Sequence, residues 1–198
     1  GANIRALTGT DGAYGEPSVS PDGTLVAFVG APDPGVDPQN DQIGILPIDG
    51  EQHPHTDIRW VSAGLDRNFQ PTVGAPPPVW ESDALLLATA EDRGATHLYR
   101  LHADGSTPPI ALTDGPVSVT SFDAAGNTLA TARTTVDHPS ELYVGDNRRT
   151  HVGDELASGL LGWERFAVAT ADGTDEIDAW IMRPVDFNET ERYPDLLN

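Results

Sequence analysis

Ser18-Val-Ser-Pro-Asp-Gly-Thr-Leu-Val-Ala-Phe-Val29 places a tight polar turn directly before a short apolar run. In Pro21-Asp22-Gly23 the proline presets φ, the aspartate side chain can bond the turn backbone, and the glycine accepts the left-handed position. The run Leu25-Val-Ala-Phe-Val29 is continuously apolar, which suits a strand covered on both faces. This unit continues into Ile43-Gly-Ile-Leu-Pro-Ile-Asp-Gly50. The same order returns as Val79-Trp-Glu-Ser-Asp-Ala-Leu-Leu-Leu-Ala-Thr89 followed by His97-Leu-Tyr-Arg-Leu-His-Ala-Asp-Gly105. It returns again as Ser121-Phe-Asp-Ala-Ala-Gly-Asn-Thr-Leu-Ala-Thr-Ala132 followed by Glu141-Leu-Tyr-Val-Gly-Asp146. Closing segments such as Pro109-Ile-Ala-Leu-Thr-Asp-Gly115 lie between units, and Arg5-Ala-Leu-Thr-Gly9 reads as the tail of an earlier one.

The second and third units are about 44 residues apart, within the range of four-stranded propeller blades. The first two are nearer about 60 apart, and an insertion between Asp57 and Pro78, with Leu65-Asp-Arg-Asn-Phe69 and Gly74-Ala-Pro-Pro-Pro78, accounts for the excess. Glycine and proline number 20 and 17 of 198 residues, too many for a mainly helical protein. The predicted fold is all-β: about three four-stranded blades of a partial propeller over residues 1–157. A β-sandwich with coincidental Asp-Gly turns is the competing architecture. An open arc of blades would leave strand edges exposed, which makes self-association through those edges an expectation.

The formal net charge is −20, the eleven basic residues are all arginines, and aspartates outnumber glutamates. Such self-repulsion opposes compaction in dilute buffer, whereas molar salt shortens the Debye length to about 3 Å and screens it. The expected source is a salt-loving archaeon with a salt-rich cytoplasm, and the fold is expected to need molar salt. An ordinary acidic protein is the plainer reading. Nucleic-acid binding through a basic patch is excluded by this charge. No run of about 18 apolar residues is present, so no membrane-spanning helix is expected, and no apolar segment at the N-terminus reads as a signal peptide. Gly1-Ala2, without methionine, is consistent with a trimmed start. With no cysteine there is no disulfide, thiolate metal site or cysteine nucleophile.

The pattern changes after the third unit. Trp163-Glu-Arg-Phe-Ala-Val-Ala-Thr170 runs into the turn Ala171-Asp-Gly-Thr174, then Ile177-Asp-Ala-Trp-Ile-Met-Arg-Pro184, a polar loop from Val185 to Arg192, and Tyr193-Pro-Asp-Leu-Leu-Asn198. This order resembles the opening of the α/β-hydrolase domain in serine peptidases of the prolyl oligopeptidase family, most closely their acylaminoacyl-peptidase branch. Leu65-Asp-Arg67, Pro78-Val-Trp80, Glu91-Asp-Arg-Gly-Ala-Thr-His-Leu-Tyr-Arg100 and His138-Pro-Ser-Glu-Leu-Tyr143 are similar to the same branch, and the blades also resemble TolB-like repeats. The resemblance implies a propeller, closed at seven blades in the family, that caps a hydrolase domain and filters peptides by size. It implies that residues 158–198 are the first strands of that domain, truncated before its catalytic elements. Asp195 departs from the family, whose strand there is apolar.

No Gly-x-Ser-x-Gly occurs in the chain, and residues 163–198 contain neither serine nor histidine. The nucleophile elbow and triad are therefore missing, and no catalytic residue is assigned. His53-Pro-His55, with Asp49, Glu51 and Asp57 near, is the one close histidine pair, and a polar turn explains it better than a metal. Asp22, Asp104, Asp114 and Asp172, each before a glycine, are expected to cap turns rather than bind calcium. His138, before Pro139, is given a structural role. Arg148-Arg149 with exposed Trp60 and Trp80 form a candidate contact surface, while Trp163 and Trp180 are expected in the core of the last small sheet. No metal or cofactor is expected. The anticipated partners are peptides handled by a parent peptidase in the cytoplasm, and the alternative function is a non-enzymatic TolB-like module that binds a protein.

Overall fold

The computed structural model describes residues 4–9, 12–49, 52–70 and 76–194. Glu51, Gly1-Ala2, Gly74-Ala75 and Asp195 through Asn198 lie outside the described residues. Tyr193 and Pro194, expected to begin a strand, are in no regular element.

Among the described residues, three four-stranded antiparallel sheets form three blades of a β-propeller, each strand pairing with the next in sequence. Blade 1 comprises β1 (Tyr14–Val19), β2 (Leu25–Gly30), β3 (Gln42–Pro47) and β4 (Arg59–Trp60). Blade 2 comprises β5 (Val79–Trp80), β6 (Leu85–Asp92), β7 (Ala95–His102) and β8 (Ile110–Ala111). Blade 3 comprises β9 (Val117–Ala125), β10 (Thr128–Thr135), β11 (His138–Val144) and β12 (Asn147–Arg148). A short helix, α1 (Asp154–Ala157), and a two-stranded hairpin, β13 (Glu164–Ala169) and β14 (Glu176–Ile181), follow. The three in-phase sequence units are thus the three blades.

The apolar runs become inner strands because each blade needs a neighbour on its face. One layer holds Ala27, Val29, Ile43 and Ile45 of blade 1 against Leu86, Ala88, Tyr99 and Leu101 of blade 2. A second layer joins Leu87 and Leu98 of blade 2 to Val119 and Phe122 of blade 3. β6 and β7 are covered on both faces, which is why Leu85-Leu-Leu-Ala-Thr89 shows no alternation. On the outer side of blade 1, Val26, Phe28, Leu46 and Ile58 gather with Leu7 from the N-terminal segment. That segment is tied down by the His53 amide, which donates to the Leu7 carbonyl at 2.8 Å.

The stretch between the first two units is more than an insertion. Its start supplies β4, which pairs Trp60 with Gly44, and its Phe69 ring is 1% exposed in the layer between blades 1 and 2. Trp80 is buried rather than on a contact surface, and its indole Nε1 donates to the Ser18 carbonyl at 3.1 Å, tying blade 2 to blade 1. Trp60 is half-buried, edge-on to Phe28 with centroids 6.0 Å apart. Turn-rich flanks hide the strand register of both indoles in the sequence.

Leu101 is fully buried between blades 1 and 2, whereas Leu142 on blade 3 is 44% exposed. Leu101→Ala is expected to lower unfolding free energy by about 3 kcal/mol, and Leu142→Ala by less than about 1 kcal/mol. Urea unfolding at one fixed salt concentration measures both, and equal losses would contradict the blade layering.

Candidate functional site

In a four-stranded antiparallel blade, strand direction alternates, so the turn between strands two and three and the link to the next blade emerge at one end. The β6–β7 turn, the β8–β9 link and the β10–β11 turn therefore share an end. The β13–β14 hairpin lies over it, and a groove of about 750 Å³ runs between.

The β6–β7 turn is built from Asp92-Arg93-Gly94-Ala95. Arg93 and Gly94 have φ of 50° and 78°, both positive, as a type I′ hairpin turn requires. Gly94 answers a second demand: a Cβ there would sit 2.5 Å from Cζ2 of Trp180. The indole rests directly on the turn backbone, so no residue with a side chain fits without displacement. Trp163 and Trp180 line the groove at 50% and 39% exposure, not in a core. The physical reason is that a lone two-stranded sheet has no second layer. Phe166, Val168 and Ile177 of the same hairpin are also exposed.

His97 and Tyr99 of β7 form the groove's floor and are 7% and 4% exposed. The imidazole Nδ1 lies 3.3 Å from Thr113 Oγ1. Burial pushes the His97 pKa down, opposed by the negative fields of Asp92 and Asp114. Burial likewise raises the Tyr99 phenol, and Asp92 adds to that rise. Four charges stand around the groove. Asp92 accepts from Arg67 Nε at 2.8 Å, and Arg165 pairs with Asp178. Arg93 and Asp114 make no ion pair, with each other or with any other described residue.

The Asp-Gly aspartates divide on this point. Asp22 accepts from the Thr24 amide at 3.0 Å, Asp104 from Ser106 at 2.9 Å and Asp172 from Thr174 at 3.2 Å. These bonds hold each carboxyl below its usual pKa, led by Ser20 for Asp22, the Ser106 amide for Asp104 and Thr170 for Asp172. Asp114 makes no such capping bond to a described residue and lines the groove instead.

A second cluster pins the connector between blade 3 and the hairpin. Glu141 on β11 is 2% exposed and accepts from the Gly153 amide at 2.6 Å, from Thr150 Oγ1, and from Arg148 Nη2 at 3.2 Å. The Thr150 bond leads in holding its carboxyl below the usual range. Asp154 pairs with Arg148, which chiefly lowers its pKa, and lies 3.0 Å from His138 Nε2. His138 is raised, first by its Nδ1 contact with the Pro139 carbonyl at 3.0 Å and then by Asp154. Donor atoms of His138, Glu141 and Asp154 lie within 4.8 Å of one another, a spacing that fits a metal ion. The Arg148 Nη2 lies against all three, so a cation would have to displace it. This cluster therefore reads as an internal brace that fixes the connector. Arg148 belongs to it, not to a contact surface with Trp60 and Trp80.

The paired histidines diverge. His53 Nε2 is 3.1 Å from Asp49 and Nδ1 is 3.8 Å from Asp57, while His55 turns away to the Tyr14 hydroxyl at 2.9 Å and the Pro32 carbonyl. The structure does not bring the two rings to one point. Arg93 and the floor residue His97 escaped the sequence reading. The available signal was an arginine at a hairpin position where asparagine is the usual choice.

No known protein-family profile matches the chain. It is 25% identical over 203 residues to the probable dipeptidyl-peptidase 5 of Emericella nidulans, covering 96% of this chain and 26% of that protein. It is 27% identical over 129 residues to the uncharacterized peptidase YuxL of Bacillus subtilis, covering 61% of this chain and 20% of that protein. The chain thus spans about a quarter of the length of the curated relatives it matches. Among solved structures, the β-propeller domain of the trilobed protease from Pyrococcus furiosus superposes with a TM-score of 0.50 at 17% identity, covering 66% of this chain and 38% of that one. That likeness is one of fold.

His97 has a folded pKa below its ordinary value of 6.5, so its contribution to stability is present above that value and lost as pH falls through the folded pKa. His138, raised above 6.5, works in the opposite sense and is untouched by changes at His97. The drop in melting temperature between about pH 7.5 and about pH 5.5 is expected to be smaller in His97→Gln than in the parent. An equal drop in both proteins would contradict the buried, neutral imidazole.

Proposed function

We propose that this chain is the junction between propeller and hydrolase domain of a prolyl-oligopeptidase-family serine peptidase, similar to the acylaminoacyl-peptidase branch. The blades screen peptides by size, and the hairpin β13–β14 begins the hydrolase domain that they guard. The observation that carries this reading is continuity. The similarity to a dipeptidyl-peptidase covers 96% of the chain, more than the blades alone, and the hairpin lies over the end of the blades where turns and links emerge. A groove left between a screening domain and the first strands of a hydrolase is where a peptide would pass.

In this reading the chain contributes the gate and the coupling, and the reacting serine lies outside these 198 residues, which hold no Gly-x-Ser-x-Gly. The Glu141 brace supports coupling, since it fixes the connector's path from blade 3. The same reading places the protein in the cytoplasm of a salt-loving archaeon, supported by the −20 charge and the absence of lysine.

The complete reading frame, expressed at high salt, is expected to label with a fluorophosphonate probe at one serine beyond residue 198. It is also expected to hydrolyse short peptides in preference to long ones. A frame that yields blades and no labelled serine would overturn the peptidase reading in favour of a binding module.

A further inference from the structure

We infer that the groove between the β6–β7 turn and the β13–β14 hairpin binds short zwitterionic peptides. The carboxylate terminus is received by Arg93, the ammonium terminus by Asp114, and an apolar side chain lies against Trp163 and Trp180. This deepens the peptidase reading by naming the ligand class, and it rests on that reading for its biological sense only.

Three independent observations converge. The first is charge. Of the four ionic side chains around the groove, Asp92 and Arg165 are neutralised by Arg67 and Asp178, leaving Arg93 and Asp114 without an ion pair among the described residues. With 31 acidic residues against 11 arginines, carboxylates are abundant, yet Arg93 pairs with none of those described. The second is the backbone. Arg93 holds φ of 50°, where asparagine or glycine costs less, and the arginine at this position lines the groove. Asp114, unlike Asp22, Asp104 and Asp172, makes no capping bond to a described residue, so its carboxylate stays open to a ligand.

The third is shape and surface. A groove of about 750 Å³ lies within the range of small-molecule sites, with half-exposed indoles as apolar walls and the buried His97 and Tyr99 as floor. A single-sign ligand would satisfy one free charge and face the other unanswered. A zwitterion satisfies both, and arginine's planar fork suits a carboxylate. Peptides blocked at both ends lose both contacts.

The test is equilibrium binding to the 198-residue chain at high salt, read by indole fluorescence, with Phe-Phe as probe. Its N-acetylated, C-amidated and doubly blocked forms serve as comparisons. Saturable binding of free Phe-Phe is expected, weakened at least about tenfold by double blocking. Arg93→Asn is expected to weaken free Phe-Phe and to erase the difference between free and amidated peptide, while keeping the preference for a free amine. Asp114→Asn is expected to erase the difference between free and acetylated peptide alone. Arg93→Asn should melt no lower than the parent, because asparagine suits the positive φ, which separates lost binding from lost folding.

Equal affinity for free and blocked peptides, absence of saturation, or a loss in either variant that ignores which end is blocked would each overturn the assignment. The experiment needs no reacting serine. Binding with no labelled serine in the full reading frame removes the peptidase reading alone, and a labelled enzyme without binding removes this site alone.

Discussion

The contact between Trp180 and Gly94 is the constraint on which the site depends. It joins a strand of the last hairpin to the tightest turn of the middle blade, and it tolerates no side chain at the glycine. Without it the hairpin would be a two-stranded sheet with little burial, and such sheets are marginal on their own. With it, the hairpin becomes a roof over the end of the blades, and the space beneath becomes a groove with indole walls. The brace around Glu141 acts on the same geometry from the other side by fixing where the connector leaves blade 3.

The blades supply the rigid side of this arrangement. Their stability comes from two apolar layers, one on each face of blade 2, so the blade that carries Arg93, Gly94, His97 and Tyr99 is the best buried of the three. That placement has a physical logic. A turn held in left-handed geometry and a floor histidine kept neutral both cost free energy, and the most heavily packed blade is the one able to carry that cost. The less buried blade 3 carries the polar brace, whose stability comes from ionic hydrogen bonds rather than from apolar area.

The fold was legible because its signals are local. Pro21-Asp22-Gly23, the runs around Phe28 and Leu86, and the spacing between units are all short-range patterns, and the blades follow from them. The site was not legible, because it is made of residues from separate elements. Asp114 looked like any other Asp-Gly aspartate, and only the absence of a capping bond sets it apart from Asp22, Asp104 and Asp172. Trp163 and Trp180 looked like core residues, since sequence does not reveal that a hairpin lacks a second layer. Trp80 misled in the other direction, with polar neighbours around an indole that ties two blades together. His138 and Arg148 carry no mark of each other in the sequence, because their meeting at Glu141 and Asp154 needs the β11–β12 turn and α1 in place.

The most direct measurement is hydrogen exchange in the hairpin after a change made only in the blade. In Gly94→Ala the added methyl group collides with the Trp180 indole, while every residue of β13 and β14 is unaltered. If the hairpin is held by that contact, amides of residues 164–181 will exchange at least about tenfold faster than in the parent, with those of the central strands of blade 2 little changed. Unaltered exchange across the hairpin would show that it is held elsewhere, and would contradict the account of the groove.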